Sequence, residues 1–263
     1  MDATRGTYHV QSLDRGLGVI RAFGSGAPEL TLSDVARVTG LTRAAARRFL
    51  LTLVDLGYVR TDGKYFSLTA RVLELGYAFL SSVTLPEVAQ PHLERLSAEV
   101  RESSSVSVLD GPDIVYVTRV AVSRIMTVSI NVGTRFPAYA TSMGHVLLAG
   151  LDAAALDGYL ERTRLEPLTG HTLTSPAALR TELDAVREQG WALVDQELEE
   201  GLRSVAAPIR DRRGKVVAAV NVSTQVSRTT RDTVREEMLP PLLAAAHGIE
   251  ADLAVTPAQA RHA

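Results

Sequence analysis

At 263 residues, 46% hydrophobic and 22% charged, the chain has the composition of a folded globular protein with room for two ordinary domains. It contains no cysteine, which excludes a disulfide framework, a thiolate metal site and a cysteine nucleophile. The net charge of −2 is uneven: residues 1–69 hold nine Arg/Lys against six acids, +3, leaving −5 for the rest. A basic head on an acidic body hints at nucleic acid at the head.

The opening MDATRGTYHVQSLDRG lacks the uninterrupted apolar core of a signal peptide. No later run approaches the roughly 20 apolar residues of a membrane helix, so a cytoplasmic location is expected. Of the 28 basic residues only Lys64 and Lys215 are lysine, a surplus of guanidinium forks suited to phosphate. SLDRGLGVIRAF reads as a first amphipathic helix carrying Leu13, Leu17, Ile20 and Phe23. LTLSDVARVTG is a second, short helix capped by Ser33 or Thr31, with Gly40 in the following turn.

GLTRAAARRFLLTL is the informative stretch. With Thr42 as N-cap and about 100° per residue, Arg43, Ala44, Arg47 and Arg48 share one arc. Ala45, Ala46, Phe49, Leu50, Leu53 and Leu56 fill the opposite arc, and Gly57 is the expected stop. Leu51 and Val54 interrupt the polar face only in the C-terminal half. A helix that meets DNA with its N-terminal end first needs this division, with reaching side chains early and packing later. A solvated amphipathic helix is the bland alternative. The neighbours decide against it: YVRTDGKYFSL is a hairpin turning on Asp62-Gly63. Helix, helix, turn, helix, hairpin is the order of a winged helix-turn-helix. The candidate DNA-contacting residues are Ser33, Thr42, Arg43, Ala44, Arg47, Arg48 and Thr52, with Arg60 and Lys64 on the wing for phosphate.

LTARVLELGYAFLSS has helical spacing and no Gly/Ser tether, so it reads as a rigid linker helix. Beyond Leu85-Pro86 the chain alternates. PEVAQPHLERLSAEV is helical; SSVSVLD, IVYVTRV and RIMTVSI are strands; SMGHVLLAGL, AAALDGYLER and PAALRTELDAVREQG are helices. WALVD, RSVAAPI and VVAAVNVS are strands again, and a terminal helix follows, with a kink expected near Pro240-Pro241. The predicted class is α+β.

An enzymatic role finds no motif. The six histidines make no HExxH or other paired metal spacing, and no metal or cofactor is expected. Ser142 and His145 share a helix face, but the GxSxG elbow that exposes a nucleophile is missing. The acidic cluster Asp195, Glu197, Glu199 and Glu200 reads more simply as a solvated turn.

QSLDRGLGVIRAF, LTLSDVARVTGLTRAAARRFLLTLVDLGYV, FPAYATSMGHVLLA and DQELEEGLRSVAAPI together resemble the IclR family of bacterial transcriptional regulators, from about Tyr8 to about Asp252. Within it the chain is most similar to the Pca/Pob-type regulators of aromatic-acid catabolism through the β-ketoadipate pathway. The resemblance implies a winged helix-turn-helix domain at 1–69, a linker helix at 70–84, a GAF-like effector-binding domain at 85–256 and a disordered tail at 257–263. It implies binding of a palindromic operator in double-stranded DNA by a homo-oligomer, a dimer or a dimer of dimers. Helices Ser12–Phe23 and Val72–Ser82 offer apolar surface for that pairing.

The resemblance also names effector-pocket residues: Phe136, Ser142 and Met143 on one wall, Asp195, Leu202 and Ser204 on another, and Asn221 and Ser223 on the sheet floor. Many family members carry cysteine where this chain has Ser204. Hydroxyls, an amide and the N–H groups of a helix start suit a carboxylate, and alternation puts Asn221 and Ser223 on one strand face. The implied effector is a small carboxylic acid of the protocatechuate, 4-hydroxybenzoate or β-ketoadipate class. Arg124 and Arg203 are candidate partners for a second carboxylate. The alternative output is a small-molecule sensor acting mainly through protein contacts, for instance with RNA polymerase.

Overall fold

The computed structural model describes residues 9–24, 28–75, 85–122 and 130–255, which belong to two units, Met1–Ser82 and Val83–Ala263. In the first unit, helices α1 (Gln11–Ala22), α2 (Leu32–Thr39) and α3 (Arg43–Asp55) are joined by strands β1 (Glu29–Thr31), β2 (Val59–Thr61) and β3 (Tyr65–Leu68). The strands form an antiparallel sheet in the order β1-β3-β2. This is the winged helix-turn-helix expected from the sequence, with one addition. Strand β1 pairs Leu30 with Phe66 and widens the two-stranded hairpin to three strands. Three residues are too few to carry a readable alternation.

Thr31 ends β1 and caps α2 in the same step. Its hydroxyl accepts from the Asp34 amide at 3.3 Å while the Asp34 carboxylate accepts from the Thr31 amide at 3.2 Å, a reciprocal capping box. Of the two expected caps, Thr31 is therefore the one used. Gly40 (φ 67°) ends α2, and Thr42 caps α3 by accepting from the Ala45 amide at 3.2 Å. Ala46, Leu50 and Leu53 of α3 are buried with Val35 and Val59. Leu56, expected on that packing face, stands 52% exposed because the helix ends before it. In α1 the buried anchor is Val19, whereas Leu13 and Leu17 are exposed. Ile20 and Phe23 of the expected apolar face pack against the core, so the unit leaves open only its Leu13 and Leu17 half.

The turn Ala70–Val72 follows β3, and Arg71 donates to the Leu56 carbonyl at 3.0 Å, tying the end of α3 to the start of the linker. The rest of the expected linker helix, residues 76–84, lies outside the described residues, as does the expected tail 257–263.

The second unit is a six-stranded antiparallel sheet in the order β6-β5-β4-β9-β8-β7. Its strands are β4 (Ser103–Asp110), β5 (Asp113–Val120), β6 (Arg135–Pro137), β7 (Ala192–Asp195), β8 (Leu202–Arg210) and β9 (Val216–Gln225). The α+β class is as expected. Alternation sorts the strands into two cores. Val205, Ala207 and Ile209 of β8 face helices α4 (Leu85–Val100) and α8 (Leu239–Val255), against Leu93, Leu242 and Ile249. Ala206 and Ala219 face the other way, onto α5 (Ser142–Ala149), α6 (Ala153–Arg162) and α7 (Pro176–Gln189). Strand β6 is not among the strands expected from the sequence, and the strand expected over RIMTVSI, residues 124–130, lies outside the described residues except for Ile130.

The break expected near Pro240-Pro241 takes a specific form. A turn Arg231–Thr233 leads into a π-helical stretch, Val234–Met238, and then into α8. Each proline lacks an N–H and crowds the carbonyl four residues back, at Glu236 and Glu237, so the ladder widens there.

All eight residues of α5 are buried, and Gly144 is what lets the helix seat. A Cβ there would meet the Ala138 carbonyl oxygen at 1.9 Å and its carbon at 2.5 Å, both backbone atoms. Gly144→Ala is therefore expected to cost about 1–3 kcal/mol by overpacking and to lower the melting temperature. Gly170→Ala, where an added Cβ meets nothing within 4 Å, should leave it unchanged. Equal melting of the two variants in a thermal scan would contradict the close approach.

Candidate DNA interface and effector pocket

The charged arc of α3 is open. Arg43, Ala44, Arg47, Arg48 and Thr52 are exposed while Ala46, Leu50 and Leu53 are buried, so the helix divides as its sequence does. Among the described residues no carboxylate pairs with Arg43, Arg47 or Arg48, in contrast to Arg37, whose guanidinium lies 3.3 Å from Asp34. Thr52 donates its hydroxyl to the Arg48 carbonyl at 2.9 Å. Ser33 is exposed on the first turn of α2. In the wing, Arg60 is steadied by an Nε–H bond to Ser67 Oγ at 2.9 Å, and Lys64 Nζ lies 4.9 Å from the Tyr65 ring centre. Asp62 closes the hairpin by accepting from the amides of Tyr65 (2.7 Å) and Lys64 (2.8 Å), which holds its carboxyl below the usual range. Gly63 supplies the φ of 99° that this turn requires.

The second unit holds a small, partly open cavity of about 30 Å³ between the inner sheet face and the start of α5. Its polar wall is one connected network. Ser142 Oγ lies 2.8 Å from Ser204 Oγ, which lies 3.1 Å from Ser223 Oγ. Asn221 donates through Nδ2 to both Ser204 and Ser223 at 3.0 Å, and its Oδ1 is buried without a partner. Tyr116, Met143, Val194, Leu198 and Leu202 supply the apolar wall. The helix start adds donors: Thr141 Oγ1 accepts from the Gly144 amide and its carbonyl from the His145 amide, leaving those of Ser142 and Met143 free among the described residues.

Six residues named from the sequence, Ser142, Met143, Leu202, Ser204, Asn221 and Ser223, therefore line one cavity. The others stand apart. Phe136 packs edge-on behind Tyr116, ring centres 5.9 Å apart. Asp195 is engaged by Arg203 Nε (3.1 Å) and Nη2 (3.0 Å) and by Arg231 Nε (2.7 Å). Burial pushes its carboxyl up, but the bonds and charges of both arginines outweigh this and hold it below the usual range. Arg203 also donates to the Thr229 carbonyl, so this cluster braces β7 and β8 against the chain that leads into the terminal helix. Arg124 lies outside the described residues. Tyr116, Val194 and Leu198 are not among the residues expected from the sequence; Tyr116 and Val194 are signalled only by alternation in strands that also serve the core, and Leu198 lies in the irregular segment between β7 and β8.

Ser142 and His145 do not form a nucleophile and base. The serine bonds Ser204, and His145 Nε2 donates to the Tyr139 carbonyl at 2.7 Å. Burial lowers His145 to about 4, so it is neutral. Glu197 Oε2, 3.8 Å from His145 Nε2, has no hydrogen-bond partner, and burial pushes that carboxyl up to about 7. Among the described residues no group of three His, Cys, Asp or Glu could hold a metal ion, and no helix is long and apolar enough to cross a membrane.

The family model described as IclR helix-turn-helix domain matches residues 12–63, and that described as Bacterial transcriptional regulator IclR C-terminal matches 77–251. The Pca regulon regulatory protein of Pseudomonas putida is 48% identical over 239 residues, 90% of this chain and 82% of the relative. A Rhodococcus sp. RHA1 protein assigned as a transcriptional regulator has a solved structure with 60% identity and a TM-score of 0.83, covering 93% of this chain and 98% of that one. An IclR homolog of Microbacterium hydrocarbonoxydans, solved in complex with 4-hydroxybenzoate, is 28% identical with a TM-score of 0.80, covering 92% and 98%.

The raised Glu197 carboxyl sets a pH dependence. The proton is held more tightly in the folded state than at the ordinary value of 4.5, so this contribution to stability is full below that value and is lost as pH rises through about 7. The melting temperature should fall between about pH 4.5 and 7, and Glu197→Gln should flatten that fall. An unchanged slope in the variant would contradict the assignment.

Proposed function

The chain belongs to the IclR family of bacterial transcriptional regulators, and we propose that it binds operator DNA under control of a small carboxylic acid and governs genes of aromatic-acid catabolism. The observation that carries this is the cavity itself: apolar walls closed at one end by hydroxyls, an amide and a helix start. The name of the Pseudomonas relative and the ligand of the Microbacterium homolog point to the same chemistry. The effector is an acid of the protocatechuate, 4-hydroxybenzoate or β-ketoadipate class. Its carboxylate sits at the start of α5 beside Ser204, Asn221 and Ser223, with Met143 and Leu202 over its carbon skeleton.

The chain acts as a cytoplasmic regulator rather than an enzyme, organised as a DNA-binding head (1–69), a linker helix (70–84), an effector domain (85–256) and a short tail (257–263). It works as a dimer or a dimer of dimers. Exposed Val10, Leu13 and Leu17 give α1 an apolar stripe suited to pairing. Contact with RNA polymerase is a further output open to such a regulator.

In the head, α3 enters the major groove with Arg43, Arg47 and Arg48, and the wing holds phosphate. Arg47→Ala should relax specificity at a cost of about 1–3 kcal/mol, whereas Arg60→Ala should weaken all sequences and lower the salt slope by about one. Unchanged operator affinity in both variants, with folding intact, would remove the groove assignment.

In the pocket, a ligand that binds only the folded state stabilises it by about 2.7 kcal/mol at a hundredfold excess over Kd. Members of a carboxylic-acid panel should therefore raise the melting temperature and change operator affinity, since equal affinity for both states would move nothing. Ser142→Leu should abolish the melting shift and spare DNA binding without ligand. A panel in which no acid moves either observable, or a shift that survives in Ser142→Leu, would overturn this reading.

A further inference from the structure

We propose that Arg119, bonded to Ser105 in the strand row that leads to Asn221 of the pocket wall, is the cation that neutralises the effector carboxylate; this rests on the reading above that the pocket takes a small carboxylic acid. Tyr116 and Arg119 are three residues apart on β5, so simple alternation would put them on opposite faces of the sheet. The register shift between Val106 and Ser107 undoes this. Ser107 pairs with Tyr116 and Val106 with Thr118, so Val117 is the extra residue and Arg119 returns to the face of Tyr116. The next row then runs Arg119, Ser105, Asn221, Ala206 across four strands. Asn221 is in the pocket wall, Ala206 is in the inner core, and Ser105 is 1% exposed between Asn221 and Arg119.

Arg119 Nη1 donates to Ser105 Oγ at 3.1 Å, which lays the guanidinium along this row. The side chain is half-buried, and among the described residues no carboxylate pairs with it. Burial pulls its pKa below the usual guanidinium range, with only a small opposing effect from Tyr116. Among the described residues, Arg203 and Arg231 are engaged with Asp195, and Arg228 with Glu102.

The pocket lining is neutral. Hydroxyls, an amide and a helix start hold a carboxylate in part, and a nearby cation adds a charge-assisted bond to them. Arg119 has the complementary need, as a partly desolvated charge without a counter-ion. The two offset each other, and the planar fork fits a carboxylate in two-point contact.

The test is titration calorimetry on the full chain with 4-hydroxybenzoate and its uncharged isostere 4-hydroxybenzamide. The unmodified protein should bind the acid about tenfold to a hundredfold more tightly than the amide, the range for a hydrogen bond to a charged group. Arg119→Gln should lose that preference and leave amide affinity unchanged. Equal binding of acid and amide by the unmodified protein, or an undiminished preference in Arg119→Gln, overturns the assignment while the pocket reading stands. If neither these ligands nor any acid of the panel binds the unmodified protein, the pocket reading fails and the assignment with it. If Arg119→Gln does not fold, Ser105→Ala carries the comparison: it should lower the acid preference by freeing the guanidinium, and an unchanged ratio overturns the proposal.

Discussion

Polar side chains buried in the middle of a sheet must find partners, and this constraint organises the second unit. Ser204, Asn221 and Ser223 lie on the inner face among alanines and aliphatic residues, each less than a tenth exposed. Left unpaired, such groups cost a kcal/mol or more apiece, roughly 1–3 kcal/mol on mutational scales. They are satisfied by one another and by Ser142, which brings the start of α5 down onto the sheet. That descent is possible because residue 144 has no Cβ to strike the Ala138 backbone. Within this network, among the described residues, Asn221 Oδ1 remains an unpartnered acceptor beside open amides at the helix start. A binding site is what is left when the packing problem is nearly, but not fully, solved internally.

The head follows the opposite logic. Among the described residues Arg43, Arg47 and Arg48 project from α3 without carboxylate partners, while Asp34, in the first turn of α2, caps that helix and pairs with Arg37. Packing is delegated to Ala46, Leu50 and Leu53, so the charged arc contributes little to stability and is available for phosphate and bases. Arg71, bonded to the Leu56 carbonyl and lying 5.4 Å from the Tyr58 ring centre, anchors the end of α3 to the turn that leads out of the head.

Much of this was legible in the sequence because it is periodic. The division of α3, the Asp62-Gly63 hairpin and the shared face of Asn221 and Ser223 follow from fixed angles per residue. What was not legible depends on features without a period. Strand β1 is three residues long. In α1 the sequence offers Leu13, Leu17, Ile20 and Phe23 as the packing face; Ile20 and Phe23 do meet the core, yet the fully buried residue is Val19 and Leu13 and Leu17 are exposed, because packing is decided by which side meets α2 and α3. Asp195 looks like a pocket acid until the register sets Arg203 opposite it on β8. Arg119 is hidden by a bulge: one extra residue in β5 reverses the face on which counting would place it.

The account turns on where an acid sits. A crystal structure of the full chain with 4-hydroxybenzoate tests that most directly. The account predicts a carboxylate within hydrogen-bond distance of the start of α5 and of the network of Ser204, Asn221 and Ser223, with the ring against Met143 and Leu202. A ligand seated elsewhere in the chain, or in this cavity with its carboxylate turned toward the apolar wall, would contradict it.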